Sequence, residues 1–194
     1  MTEFSSLAVF CGSRLGTDPA HREAARRLGR LMAERRIRLV FGGGAIGLMG
    51  VIADSALAAG GEAVGVIPDF LVKYELAHRG LTEIVVVDSM HERKRRMFEL
   101  ADGFVVLPGG LGTLDEAIEI VTWKQLRLHA KPIVVVDVAG YWRPLEAMFA
   151  SVVAAGFAHP GIADLAQVVG RVEDLFAALA AAPAPAAEIL TSHF

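Results

Sequence analysis

Ile84-Val85-Val86-Val87 and Ile133-Val134-Val135-Val136 are unbroken aliphatic runs. A strand with one solvated face alternates apolar with polar residues, whereas an unbroken run is apolar on both faces. Strands of that kind belong to a parallel sheet covered by helices on each side. Runs that read as strands recur at 7–11, 37–41, 63–67 and 103–107, and a weaker one lies at 167–169. Helical segments fill the gaps at 20–35, 47–59, 90–101, 113–128, 142–155 and 172–181. This alternation predicts an α/β fold: a Rossmann-like, doubly wound, mostly parallel sheet with helices on both faces. Residues 68–82 form a longer connection without clear periodicity.

Local signals agree with that order. Asp18-Pro19 reads as an N-cap followed by proline at the first helical position. Ser89 and Glu92 form a capping box, which starts a helix at Met90. Gly60-Gly61 ends the helix before it. With 194 residues, one domain is expected over 1–182, followed by a mobile Ala/Pro-rich tail over 183–194.

Composition excludes several classes. A net charge of −3 speaks against a nucleic-acid partner. Hydrophobic residues make up 54% of the chain, yet no run reaches the ~18 residues of a membrane helix. No membrane partner is therefore expected. The first residues show no basic region or apolar segment of a signal peptide, so a cytoplasmic setting is expected. Cys11 is the single cysteine, which excludes an intrachain disulfide and a multi-cysteine zinc site. It reads as a small buried residue. His91, His129 and His159 are scattered, so no metal site is expected, and His91 reads as structural.

Ligands of an open parallel sheet bind beyond the carboxyl ends of its strands. Two glycine segments stand there: Phe41-Gly42-Gly43-Gly44-Ala45-Ile46-Gly47-Leu48-Met49-Gly50, and Pro108-Gly109-Gly110-Leu111-Gly112-Thr113-Leu114-Asp115-Glu116. Glycine lets the backbone approach an anion, and a helix N-terminus offers free N–H groups. Either segment alone could be a tight strand-to-helix turn. Both together, with the Thr113 hydroxyl, favour a phosphorylated ligand. Gly42, Gly44 and Gly47 also spell a dinucleotide fingerprint, but after the second strand rather than the first.

Arg93, Lys94, Arg95 and Arg96 crowd the start of the 90–101 helix. The cap places Arg93 and Lys94 at the ligand edge, while Arg95 and Arg96 read as surface. Asp115, Glu116 and Glu119 lie at the start of the next helix, where acids are stabilised by the dipole. A carboxylate beside an anion-binding turn needs an offsetting cation, which makes Arg93 and Glu116 a candidate pair.

Pro-Gly-Gly-Leu-Gly-Thr-Leu-Asp-Glu, preceded by Met-His-Glu-Arg-Lys, resembles the LOG family of cytokinin riboside 5′-monophosphate phosphoribohydrolases. Members of that family are often labelled lysine decarboxylases. The upstream Gly-Gly-Gly-x-x-Gly-Leu-Met-Gly agrees, and the likeness spans about Leu7 to Gly156. The resemblance implies Arg93 and Glu116 as catalytic residues. It implies substrate contacts from Lys94, from Gly109, Gly110, Leu111, Gly112, Thr113, Leu114 and Asp115, and from Gly43, Gly44 and Met49. Glu75 and Thr122 match family binding positions. The family motif ends in two glutamates, and here the first is Asp115. The implied reaction cleaves the N-glycosidic bond of an adenosine 5′-monophosphate, plain or N6-prenylated, without a cofactor, in a homodimer. Pyridoxal-dependent lysine decarboxylation fits poorly, because Lys73, Lys94, Lys124 and Lys131 lie in no recognisable Schiff-base setting. Two other readings stand: a general AMP nucleosidase, and a non-hydrolytic nucleotide-binding or carrier protein that would not need Glu116.

Overall fold

The structure is a computed structural model and describes residues 4–72 and 77–182. Seven parallel strands form one sheet in the order β4-β3-β2-β1-β5-β6-β7. They are β1 (Ser6–Phe10), β2 (Arg38–Phe41), β3 (Ala63–Pro68), β4 (Glu83–Val87), β5 (Gly103–Val106), β6 (Ile133–Val136) and β7 (Gln167–Val169). The helices are α1 (Pro19–Glu34), α2 (Gly47–Ala58), α3 (Asp69–Val72), α4 (Met90–Leu100), α5 (Leu111–Gln125), α6 (Arg143–Ala154) and α7 (Leu175–Ala181). The chain builds outward from β1 to β4, then returns to β5 on the other side of β1. The strand order therefore reverses between β1 and β5, and a crevice opens at such a switch point.

The central strands are apolar on both faces because both faces are covered. Leu7 and Val9 of β1 pack with Leu28 and Met32 of α1, Ile52 of α2 and Leu175 of α7. Ala8 and Phe10 turn the other way, onto Met97 of α4, Phe104 of β5 and Ile120 of α5. A large apolar side chain buried this way contributes roughly 1.5–3 kcal/mol, so these runs anchor the fold.

Strand β4 departs from the expectation. Ile84 and Val86 are exposed, although their run reads as buried on both faces. The sheet ends at β4, and on that face α2 packs with β2 and β3 instead. The 68–82 connection contains the short α3, and Ala77 bridges back to Gly44.

Several helix starts follow the sequence signals. Asp18 accepts from the Ala20 N–H at 2.8 Å, with Pro19 at the first position of α1. The Ser89 hydroxyl accepts from the Glu92 N–H at 3.1 Å and starts α4. The Glu92 carboxylate closes the cap one residue early, accepting from the Asp88 N–H at 3.1 Å. Helix α5 starts at Leu111, not at 113, with Gly110 as its N-cap. The expected 172–181 helix is a 3-10 turn over Val172–Asp174 followed by α7.

Asp102 ties the start of β1 to the α4–β5 turn. Its Oδ2 accepts from the Ser5 N–H at 2.8 Å, the Ser5 hydroxyl at 2.7 Å and the Ser6 N–H at 3.0 Å. Burial alone would raise its pKa, but these hydrogen bonds outweigh it and hold the carboxyl below its ordinary value. A pKa lower in the folded than in the unfolded state stabilises the fold above the unfolded value, and that stability is lost as pH falls through the folded value. Asp102→Ala should therefore lower Tm at pH 7, and the gap to wild type should narrow as pH drops below about 4. A gap that stays constant down to pH 2 would remove the carboxylate from this role.

Candidate active site

The switch-point crevice holds a cavity of about 150 Å³ lined by residues from four strand ends and helix starts. Val9, Cys11 and Ser13 come from β1 and its loop, Gly42 and Met49 from the β2–α2 segment, and Arg93 from α4. Gly110, Leu111, Gly112, Thr113 and Glu116 come from the start of α5.

The α5 start is open. Gly110 has no side chain to cap it, and the first intrahelical bond runs from the Leu114 N–H to the Gly110 carbonyl at 3.0 Å. The N–H groups of Leu111, Gly112 and Thr113 thus lack intrahelical acceptors and face the helix N-terminus, where an anion is favoured. Thr113 is buried and Leu111 is 84% exposed.

The other glycine segment packs against the loop after β1. Gly47 has φ +66°, and a Cβ there would lie 2.2 Å from the Ser13 carbonyl carbon. The Leu48 N–H already donates to the Gly12 carbonyl at 2.9 Å. Here the turn-making role of glycine holds, and one of the leading N–H groups of α2 is already taken by the loop after β1. Gly43 and Gly44 do not line the cavity: the Gly43 carbonyl accepts from the His78 N–H at 3.0 Å, and Gly44 bridges to Ala77. Gly42 and Met49 line it instead.

Arg93 and Glu116 both line this cavity, and both are buried. The Arg93 Nε donates to the Val66 carbonyl at 3.1 Å and Nη2 to the Gly42 carbonyl at 3.2 Å. Its guanidinium is thus fixed by the ends of β3 and β2. Gly42 leaves it room, since a Cβ there would fall 1.9 Å from Nη2. Burial, then the negative charge of Glu116, push the Cys11 thiol far up, which keeps it protonated. Cys11 is buried as expected, and a thiol held protonated is a weak nucleophile.

Other expected residues lie elsewhere. Lys94 bridges α4 to α5, with Nζ 3.1 Å from both Asp115 Oδ2 and Glu119 Oε2. Burial alone would lower its pKa, but the two carboxylates outweigh that and raise it. Lys94 and Asp115 thus hold α4 and α5 together and do not line the cavity. Leu114 packs into the core on the α4–α5 side. Thr122 is exposed and donates to the Ile118 carbonyl at 2.8 Å. Gly109 lines a second cavity of about 480 Å³, which shares Ser13 and Gly110 with the first and also contains Arg14, His21 and Tyr141. Glu75 lies outside the described residues. Arg95 and Arg96 are exposed and pair with glutamates of their own helix. His91 is exposed as well.

Sequence reasoning missed Ser13 and Gly42 as cavity residues, and Cys11 as a wall of the cavity. The available signal for Ser13 was its place just after β1, the strand at which the order reverses. Among the described residues, no cluster of three His, Cys, Asp or Glu could hold a metal ion, and no helix is long and apolar enough to cross a membrane.

The fold and the crevice define a doubly wound α/β protein in which the open start of α5 shares a switch-point cavity with buried Arg93 and Glu116. Residues 49–179 match the family described as "possible lysine decarboxylase". A cytokinin riboside 5′-monophosphate phosphoribohydrolase of Rhodococcoides fascians is 43% identical over 175 residues, covering 90% of this chain and 88% of that one. An Arabidopsis thaliana protein of the same name is 42% identical over 159 residues, covering 82% of this chain and 73% of that one. The chain belongs to this LOG family. Among solved structures, the molybdenum cofactor carrier protein of Chlamydomonas reinhardtii superposes with a TM-score of 0.69 at 22% identity, covering 90% of this chain and 95% of that one. The molybdenum cofactor binding protein of Rippkaea orientalis gives 0.67 at 18%, covering 91% and 96%. At such identities the likeness is one of fold.

Proposed function

We propose that this protein is a nucleoside 5′-monophosphate phosphoribohydrolase that releases the free base and ribose 5-phosphate from adenosine-type monophosphates, N6-prenylated ones included. The observation that carries the reading is the pairing, in one cavity, of the open α5 start with the buried Glu116 and Arg93. The 5′-phosphate sits on the N–H groups of Gly110–Thr113. That anchoring binds a part of the substrate remote from the bond that breaks, and so positions the reacting carbon. The C1′–N bond breaks with its electrons going to the base, and positive charge builds on the sugar. Glu116 stabilises that charge and takes a proton from the attacking water, while solvent supplies the proton that the departing base gains. The Arg93 guanidinium, held by two carbonyls, orients the carboxylate and the sugar–phosphate.

The cavity is smaller than the roughly 300–1,000 Å³ of complete ligand sites. It suits the sugar–phosphate end and leaves the base outside it. Cytoplasmic location and a homodimer belong to the same reading; Met148 on α6 and Ile84 and Val86 on β4 are apolar side chains left exposed in the single chain.

The test incubates the protein with AMP and, separately, with isopentenyladenosine 5′-monophosphate, and separates bases from nucleotides by chromatography. Free base and ribose 5-phosphate in equal amounts are expected, and the rate ratio ranks a general AMP nucleosidase against a cytokinin-activating enzyme. Tight nucleotide binding without base release would favour the carrier reading. Light scattering on the same sample is expected to give the mass of two chains, and the mass of one would remove the dimer.

A further inference from the structure

Tyr141 is absent from every motif in the sequence, yet it reaches the anion-accepting loop. Its hydroxyl donates to the Gly109 carbonyl at 2.6 Å. The segment that delivers it is unusual. Ala139 and Gly140 are consecutive left-handed residues, with φ +57° and +76°. Alanine rarely takes that conformation, so the surrounding structure must enforce it. The turn is closed by Asp137, whose Oδ1 accepts from the Trp142 N–H at 2.6 Å. The Tyr141 ring is held edge-on by His21, at 5.2 Å between centroids, and by Trp142, at 4.9 Å.

The peptide between Gly109 and Gly110 is trans and planar, so its C=O and N–H point in opposite directions. Tyr141 lines the second cavity and draws the Gly109 carbonyl toward that side. In a trans peptide the Gly110 N–H points away from the carbonyl that Tyr141 holds, and Gly110 also lines the 150 Å³ cavity. Among the described residues, that N–H has no backbone acceptor. We propose that Tyr141 is a positioning residue: its hydroxyl fixes the Gly109–Gly110 peptide so that the Gly110 N–H joins those of Leu111, Gly112 and Thr113 in binding the substrate phosphate. Without the hydroxyl, two glycines leave this peptide free to rotate. The inference rests on the reaction proposed above for the phosphate's identity as part of the substrate.

Tyr141→Phe keeps the ring and removes only the donor. Calorimetry with ribose 5-phosphate should show about tenfold weaker binding to the variant, the loss of roughly one oriented hydrogen bond. Adenine, which has no phosphate, should bind both proteins alike. With AMP, KM should rise by a similar factor while kcat stays within about twofold, as for an interaction made equally in the ground and transition states. In the wild type, the Gly110 amide resonance should shift when ribose 5-phosphate is added, a measurement that does not depend on the variant's folding. Unchanged ribose 5-phosphate affinity in the variant, a loss confined to kcat, a silent Gly110 amide, or no binding of ribose 5-phosphate by the wild type would each overturn the proposal. If the wild type binds ribose 5-phosphate through Gly110, and the variant more weakly, but AMP yields no base, then the hydrolase reading fails and the role of Tyr141 stands.

Discussion

Glu116→Gln is expected to cut base release from AMP by about 10²–10⁴-fold, the range a positioned proton-transfer group supplies. The change is nearly isosteric, so the buried site keeps its shape and loses only the charge. Glu116 is 9% exposed and lines the same cavity as the open start of its helix, α5. Water excluded from such a site strengthens a carboxylate's hold on a developing positive charge. KM for AMP should change little, because the open N–H groups at the start of α5, proposed above to hold the phosphate, remain. Steady-state rates on AMP, with Tm recorded for both proteins, decide the matter. A Gln variant that keeps more than about a tenth of the wild-type rate would remove Glu116 from the chemistry and turn attention to a carrier function.

Gly42→Ala should lower activity by about 10²-fold, the cost of a displacement near 1 Å at a reacting centre. The added Cβ would lie 1.9 Å from the Arg93 Nη2, 3.0 Å from its Cζ and 3.1 Å from the Met49 Sδ. The guanidinium must move, and it can, because it is the far end of a flexible side chain. Stability should therefore fall much less than activity. Arg93→Ala behaves differently: it also strips the Val66 and Gly42 carbonyls of a charged donor, so it should lower both activity and Tm. Full activity in Gly42→Ala, with Tm unchanged, would show that the guanidinium need not sit where the structure places it.

The positions of buried Arg93 and Glu116 were legible because each sits next to a strong local signal. The Ser89–Glu92 cap fixed the start of α4, and with it the strand-end position of Arg93. The glycine turn after β5 fixed Glu116 one and a half turns into α5. Lys94 and Asp115 carry the same kinds of charge at neighbouring positions, yet they point to each other. Residues one apart on a helix face directions about 100° apart, and only the packing of α4 against α5 decides which of the two enters the cavity. The same holds for the glycines. Gly42 and Gly43 are indistinguishable in sequence, but Arg93 arrives over Gly42, while Gly43 packs against Gly65.

By itself, the sequence determined the parallel α/β class, the order of the central elements, and the placing of Arg93 and Glu116 at the carboxyl edge of the sheet. Those follow from apolar runs, caps and glycine turns, which act within a few residues of themselves. Tertiary structure alone decided that β4 is a half-covered edge, that the loop after β1 packs on the start of α2, and that the start of α5 lines the cavity. It also decided that Tyr141, 32 positions away, grips the Gly109 carbonyl. These outcomes depend on which surfaces meet when seven strands are laid side by side, and no pattern confined to neighbouring residues encodes that.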